Sequence, residues 1–221
     1  MYITVNRRKL YYEVTGKGTP LLLIHGNGET HEIFDEAVTL LSKYFTCYAI
    51  DSPGHGKSDP VKQYHYMDMA EDIASFTMQL DLQGAVYYGF SDGGIIGLLL
   101  AINHPDLYSK MIISGANTNP DAVKTLLKIA FTVITKIHKN PLFDLMLKEP
   151  HISAQQLQSI TIPVTVLAGE KDLIKEENTR FIAENIPQSK LMILPKEGHE
   201  TYIVHSAKIA ELIIKDCKDI I

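Results

Sequence analysis

Gly84-Ala85-Val86-Tyr87-Tyr88-Gly89-Phe90-Ser91-Asp92-Gly93-Gly94-Ile95-Ile96-Gly97-Leu98-Leu99-Leu100-Ala101-Ile102 decides the reading of this chain. Its first five residues are a short β-branched and aromatic run, the pattern of a buried strand. Ile95 to Ile102 is a long apolar run that stops at His104-Pro105, as a buried helix does. Between them, Gly89 to Gly93 fits G-x-S-x-G, a sharp strand-to-helix turn that lifts a serine hydroxyl clear of the backbone. A serine forced onto such a turn carries backbone strain. Its glycine neighbours lack Cβ, so strand and helix can close over one another.

Outward from this turn, strands and helices alternate. Tyr2 to Asn6 and Leu10 to Thr15 read as two strands around Asn6-Arg7-Arg8. Leu21 to Ile24, Phe45 to Ile50, Met111 to Ser114, Val164 to Ala168 and Leu191 to Leu194 read as further strands. Helical patterns follow most of them: Ile33 to Ser42, Tyr66 to Leu80 and Tyr202 towards Lys218. Alternation of this kind predicts a mostly parallel, doubly wound α/β sheet with helices on both faces. One stretch, 119–160, holds no strand. Val123, Leu126, Leu127, Ala130, Val133, Ile134 and Ile137 recur there at helical spacing, with Lys124, Lys128, Lys136 and Lys139 away from the stripe. Such a stripe suits a membrane-surface helix or a helical cap over an open sheet's ligand-binding edge. The expected organisation is a core of residues 1–118 and 161–221 carrying a short cap at 119–160.

Composition bounds the rest. The chain has 221 residues, 45% of them hydrophobic, enough for one sizeable core. A net charge of −5 offers no basic footprint for nucleic acid. No run approaches the ~18 apolar residues of a membrane span, and the N-terminus lacks a signal-peptide core. Cys47 and Cys217 show neither metal nor disulfide spacing. A cytoplasmic protein without metal or cofactor is expected; composition says nothing of its oligomeric state.

A serine hydroxyl needs a base to take its proton, and the base needs a third group to orient it. In this kind of fold the chain order is Ser, acid, His. Of nine histidines, only His199 and His205 follow a plausible acid. His199 comes after a strand end in Lys196-Glu197-Gly198-His199, where catalytic groups gather in open sheets; His205 falls inside the last helical pattern. The expected base is His199. The expected acid is Asp172, directly after the strand Val164 to Ala168, with a helix N-cap as its other reading. Glu170 and Asp144 are weaker candidates, and Asp51 precedes Ser91. Two backbone N–H groups should meet the developing oxyanion, those of Asn27, in His25-Gly26-Asn27-Gly28, and of Asp92. His25 reads as an orderer of that loop. The Asp92 carboxylate has to find a partner if buried, either a substrate cation or a protein group such as the Asn117 side chain.

Taken together, His25-Gly26-Asn27-Gly28, Asp51-Ser52-Pro53-Gly54-His55-Gly56-Lys57-Ser58, Gly89 to Gly94, Gly169-Glu170-Lys171-Asp172 and Gly198-His199 resemble the α/β-hydrolases along nearly the whole chain. Gly89 to Gly94 followed by Ser114-Gly115-Ala116-Asn117 is most similar to the biphenyl-hydrolase-like or valacyclovirase type. That resemblance implies a small-molecule ester substrate, amino-acyl esters among them, with Asp92 holding the ammonium group and Asn117 beside it. Residues 119–160 are shorter than the lid usual in the family. The expected reaction is ester hydrolysis through an acyl-enzyme. Its alternatives are hydrolysis of another acyl or a carbon–carbon bond, and a non-catalytic small-molecule receptor of the same fold.

Overall fold

The structure is a computed structural model that describes Met1–Ile221. Eight strands form one sheet: β1 (Tyr2–Val5), β2 (Arg8–Gly16), β3 (Thr19–Ile24), β4 (Phe45–Ile50), β5 (Ala85–Phe90), β6 (Tyr108–Ser114), β7 (Val164–Lys171) and β8 (Ser189–Gly198). Their spatial order is β1-β2-β4-β3-β5-β6-β7-β8. The first two strands pair antiparallel, as do β2 and β4, and every later pair is parallel. The sheet is thus mostly parallel, as its alternating pattern predicts.

Strand geometry sends successive side chains to opposite faces, and two apolar layers result. Leu22, Ile24, Tyr87, Met111, Ile113, Val164 and Val166 face one layer. It is closed by α2 (Tyr66–Gln79), α3 (Asp92–Asn103) and α7 (Glu176–Asn185). Leu21, Leu23, Val86, Tyr88, Ile112 and Leu167 face the other, closed by α1 (Asp35–Leu41) and α8 (Lys208–Asp216). Both cysteines are buried in this second layer. Because β5 lies between two parallel neighbours, all six of its residues are buried. Parallel strands covered on both faces lose the in–out alternation of an exposed sheet. No helix is long and apolar enough to cross a membrane.

Within 119–160 lie a 3-10 turn at Pro120–Ala122, then α4 (Thr125–His138), α5 (Pro141–Lys148) and α6 (Ala154–Gln158). Asn140 caps α5 by accepting from the Leu142 and Phe143 N–H groups. Ser153 and Gln156 form a capping box on α6. The three helices have different neighbours. α4 and α5 pack on each other, with Leu145 of α5 also reaching the sheet's core, and α6 packs against α7 and α3 and buries Leu157 there. The chain end also differs from its sequence pattern. Tyr202 to His205 is a turn, and His205 takes a left-handed φ of 46°. A continuing helix needs negative φ there, so α8 begins only at Lys208.

The turn at Ser91 is the tightest junction of the fold. A Cβ on Gly89 would stand 2.2 Å from the Gly93 carbonyl oxygen, and one on Gly93 would stand 2.2 Å from the Ile24 oxygen. Both obstacles are backbone, which cannot rotate away. Gly93→Ala is expected to cost about 3 kcal/mol or more, read as a lower urea midpoint. A midpoint equal to that of the parent would contradict this account of the turn.

Candidate active site

Ser91, Asp172 and His199 lie far apart in the chain, and the sheet collects them because each follows the C-terminal end of a parallel strand. Ser91 follows β5, Asp172 follows β7 and His199 follows β8. Ser91 is a non-glycine residue at φ 51° and ψ −111°, held by its N–H bond to the Ser114 oxygen at 2.8 Å. The His199 ring joins the other two side chains. Its Nε2 is 3.1 Å from Ser91 Oγ, and its Nδ1 is 2.6 Å from Asp172 Oδ1.

Asp172 is built to stay ionised. Burial works to raise its pKa. The hydrogen bond from His199, the charge on that ring, and the N–H groups of Ile174 and Gly169 outweigh burial and hold it below the usual carboxylate value. It does not cap a helix, since α7 is preceded by Lys175. The other sequence candidates sit elsewhere. Glu170 accepts from the Lys196 N–H, Asp144 pairs with Lys148 on α5, and His205 is exposed in its turn.

The loop after β3 is tied down by two histidines. His25 Nε2 accepts from the Ser52 N–H, so its Nδ1–H donates to the Gly26 oxygen at 2.7 Å. Burial lowers the His25 pKa to about 4, which keeps the ring neutral for this role. His55 Nε2 accepts from the Gly28 N–H. Between these anchors, the Asn27 N–H meets no acceptor in the protein. Asp92 opens α3, where the first backbone N–H groups have no intrahelical partner.

The Asp92 side chain takes a different place from the one expected for an ammonium site. It is 3% exposed, and both its oxygens are engaged. Tyr66 Oη donates to Oδ1 at 2.7 Å, and Asn27 Nδ2 donates to Oδ2 at 2.9 Å. Burial raises its pKa, and these two bonds partly restrain the rise. Asn117 makes no hydrogen bond to it; its Nδ2 donates to the Asn119 oxygen. Neither residue lines the pocket at Ser91. Asp92 instead fixes the side chain of Asn27, and Tyr66 on α2 is a partner that sequence reading missed, hidden in an ordinary apolar helix pattern.

The pocket at Ser91 has a volume of about 170 Å³. A closed void of roughly 150 Å³ holds a benzene ring; this pocket is open to solvent on one side. Phe131 of α4 and Phe143 and Met146 of α5 form one wall, with the two rings stacked at 4.6 Å. Phe90 and Leu173 add apolar surface, and Glu29 and Glu200 bring carboxylates. Glu29 is the second residue that sequence reading missed. Its Oε2 accepts from the Gly26 N–H at 2.9 Å. A Cβ built on Gly26 would lie 2.7 Å from that oxygen and 3.0 Å from Ser91 Cβ. No cluster of three or more His, Cys, Asp or Glu side chains is arranged to hold a metal ion.

With this geometry in place, comparison with known families matches residues 19–134 to the family described as alpha/beta hydrolase fold. The chain belongs to that family. Its match with the pimeloyl-(acyl-carrier protein) methyl ester esterase of Vibrio cholerae is 31% identical over 103 residues. These are 47% of this chain and 39% of that protein's length. It is similar to the serine hydrolase BPHL of Homo sapiens, 26% identical over an alignment of 234 positions that covers 91% of this chain and 80% of that one. Among solved structures, the esterase EaEST from Exiguobacterium antarcticum superposes with a TM-score of 0.85 at 24% identity, covering 98% of both chains. That likeness is one of fold.

Within this α/β-hydrolase, burial raises the Glu29 pKa from 4.5 to about 7, against the Gly26 N–H bond and the nearby His199. In the unfolded chain Glu29 ionises near its ordinary value, while the folded chain keeps the proton until about pH 7. The unfolded state therefore binds fewer protons across this window, and folded stability falls as pH rises through it. Glu29→Gln keeps an acceptor for Gly26 and removes the titration. The variant is expected to match the parent near pH 4 and to be about 2 kcal/mol more stable at pH 8, by urea denaturation at both values. A stability difference that does not change with pH would contradict the assignment.

Proposed function

We propose that this protein is a serine hydrolase that cleaves small carboxylic esters through an acyl-enzyme on Ser91. One observation carries the reading: the single His199 ring, within hydrogen-bond reach of Ser91 Oγ on one side and of Asp172 on the other. That is the arrangement in which a weak hydroxyl becomes a nucleophile. Ser91 Oγ attacks the acyl carbon while its proton passes to His199 Nε2. Asp172 stays ionised and stabilises the imidazolium. The backbone N–H groups of Asn27 and Asp92 receive the oxyanion, at a helix N-terminus whose dipole favours negative charge. The ester C–O bond breaks, and His199 returns the proton to the leaving alcohol oxygen. A water molecule, losing its proton to His199, then attacks the acyl carbon. Collapse of the second intermediate frees the acid and restores Ser91.

In this reading α4 and α5 act as the cap, since Phe131, Phe143 and Met146 wall the Ser91 pocket. The names of the relatives, a serine hydrolase and a methyl ester esterase, agree with ester cleavage. The apolar wall of Phe131, Phe143 and Met146 favours a small apolar group beside Ser91. The pocket's two carboxyl groups, Glu29 and Glu200, select against an anionic acyl group by like-charge repulsion above about pH 7, where Glu29 has lost its proton. Amino-acyl esters belong to the accepted class, with the ammonium facing these carboxylates and not the occupied Asp92.

Steady turnover of p-nitrophenyl acetate is expected from the parent. Ser91→Ala should lower kcat by at least about 10⁴-fold, because the members of such a relay act as a unit. Near-normal turnover by the variant would overturn the mechanism, and no turnover by the parent would favour a receptor of the same fold. Across acetyl-sized esters at about pH 8, where Glu29 is ionised, kcat/KM should be roughly tenfold or more higher for neutral and ammonium-bearing acyl groups than for carboxylate-bearing ones. Asp92→Asn should leave the ratio of amino to des-amino ester unchanged. Erasure of that ratio by Asp92→Asn would return the ammonium site to Asp92.

A further inference from the structure

An ordinary surface helix buries its apolar stripe. α4 does not: none of its residues is buried. Leu127 and Phe131 turn inward, packing on the small cluster of Ala122, Val123 and Ile174. A second apolar row, Leu126, Ile129, Val133 and Ile137, recurs at spacings of three and four on the outer side, with Ile134 at its edge. Leu126 is 84% exposed and Ile137 66%. This row runs about 16 Å along the helix, and an apolar patch of this kind marks an interaction surface.

Charge indicates the occupant. The chain as a whole carries −5, yet α4 has no acidic residue and is flanked or crossed by Lys124, Lys128, Lys136 and Lys139. Asp121 is already taken by Lys128 and Asp144 by Lys148, and Glu176 by Arg180. Lys124, Lys136 and Lys139 make no ion pair. Two copies of this face packed together would bring these cations against one another. A surface that is apolar inside and negative at its rim answers both features at once.

We propose that the outer face of α4 docks on an anionic lipid surface, with Leu126, Ile129, Val133 and Ile137 entering the headgroup boundary and the lysines meeting lipid phosphates. The proposal goes beyond the hydrolase reading and does not depend on it, since it rests on exposure and charge outside the Ser91 pocket. The inner side of the same helix supplies Phe131 to that pocket, so docking sets the Ser91 site beside the lipid.

The test is co-sedimentation of the full chain with vesicles of phosphatidylglycerol and with vesicles of phosphatidylcholine alone, at low and high salt. The parent is expected to partition to the anionic vesicles at least tenfold more strongly than to the neutral ones, and to be released by salt. Leu126→Ser/Ile137→Ser and Lys136→Glu/Lys139→Glu alter exposed residues and should each lower that partition tenfold or more. Turnover of a soluble ester should be unchanged in the Ser variant. A parent that stays in the supernatant with anionic vesicles, or a partition that neither variant changes, overturns the proposal. Self-association of the parent that the Ser variant abolishes, without vesicle binding, overturns it in favour of a second copy.

Discussion

Ser91 holds a backbone conformation, φ 51° and ψ −111°, that an L-residue keeps only when its surroundings force it. Here they do so by contact between main chains. Gly89 and Gly93 let β5, α3 and the end of β3 approach to distances at which no Cβ fits. The Gly93 N–H donates to the His25 oxygen at 3.1 Å, and Tyr87 Oη donates to the Gly93 oxygen at 2.6 Å. The serine that the fold strains is thereby the serine that it exposes. The same contact joins the start of α3, which Asp92 opens, to the loop after β3, which carries Asn27. Helices on both faces of the sheet, and the two apolar layers they close, hold this junction still.

A second set of constraints is electrostatic, and burial sets it. Four buried or half-buried groups around Ser91 respond differently. Asp172 gains a ring N–H and two backbone N–H groups and stays below the usual carboxylate pKa. Glu29 gains one backbone N–H and rises to about 7. Asp92 gains Tyr66 and Asn27 and is still raised. His25 loses its charge altogether, with its pKa at about 4. The donors aimed at each carboxylate, set against its desolvation, account for the direction of each shift. One ionised acid behind His199 and one neutral histidine beneath the loop follow from residues that the turn brings together.

The elbow, the strand set and the order Ser91, Asp172, His199 were legible in sequence because each rests on local chemistry. Glycine flanks a tight turn, β-branched and aromatic runs make buried strands, and polar residues follow strand ends. Phe45 to Ile50 is a strand with those same bounds. What sequence could not supply were contacts between distant segments. The partners of Asp92 lie 26 and 65 residues away, so an apparently unpartnered carboxylate read as a substrate site. Glu29 carries no motif of its own, and only the fold sets it against the Gly26 N–H in the pocket that holds Ser91. α6 shares its polarity with the cap pattern, and only packing on α7 and α3 assigns it to the sheet's core. His205 broke a helical periodicity through a left-handed φ, which composition does not announce.

The account turns on Ser91 being the nucleophile that His199 activates. Its most direct measurement is mass spectrometry of the intact and digested protein after brief treatment with a fluorophosphonate, which phosphonylates a serine activated by a neighbouring base. The account predicts one adduct per chain, carried by the peptide containing Ser91 and suppressed in His199→Ala. A chain that stays unlabelled, or one whose adduct sits on another residue, would contradict it.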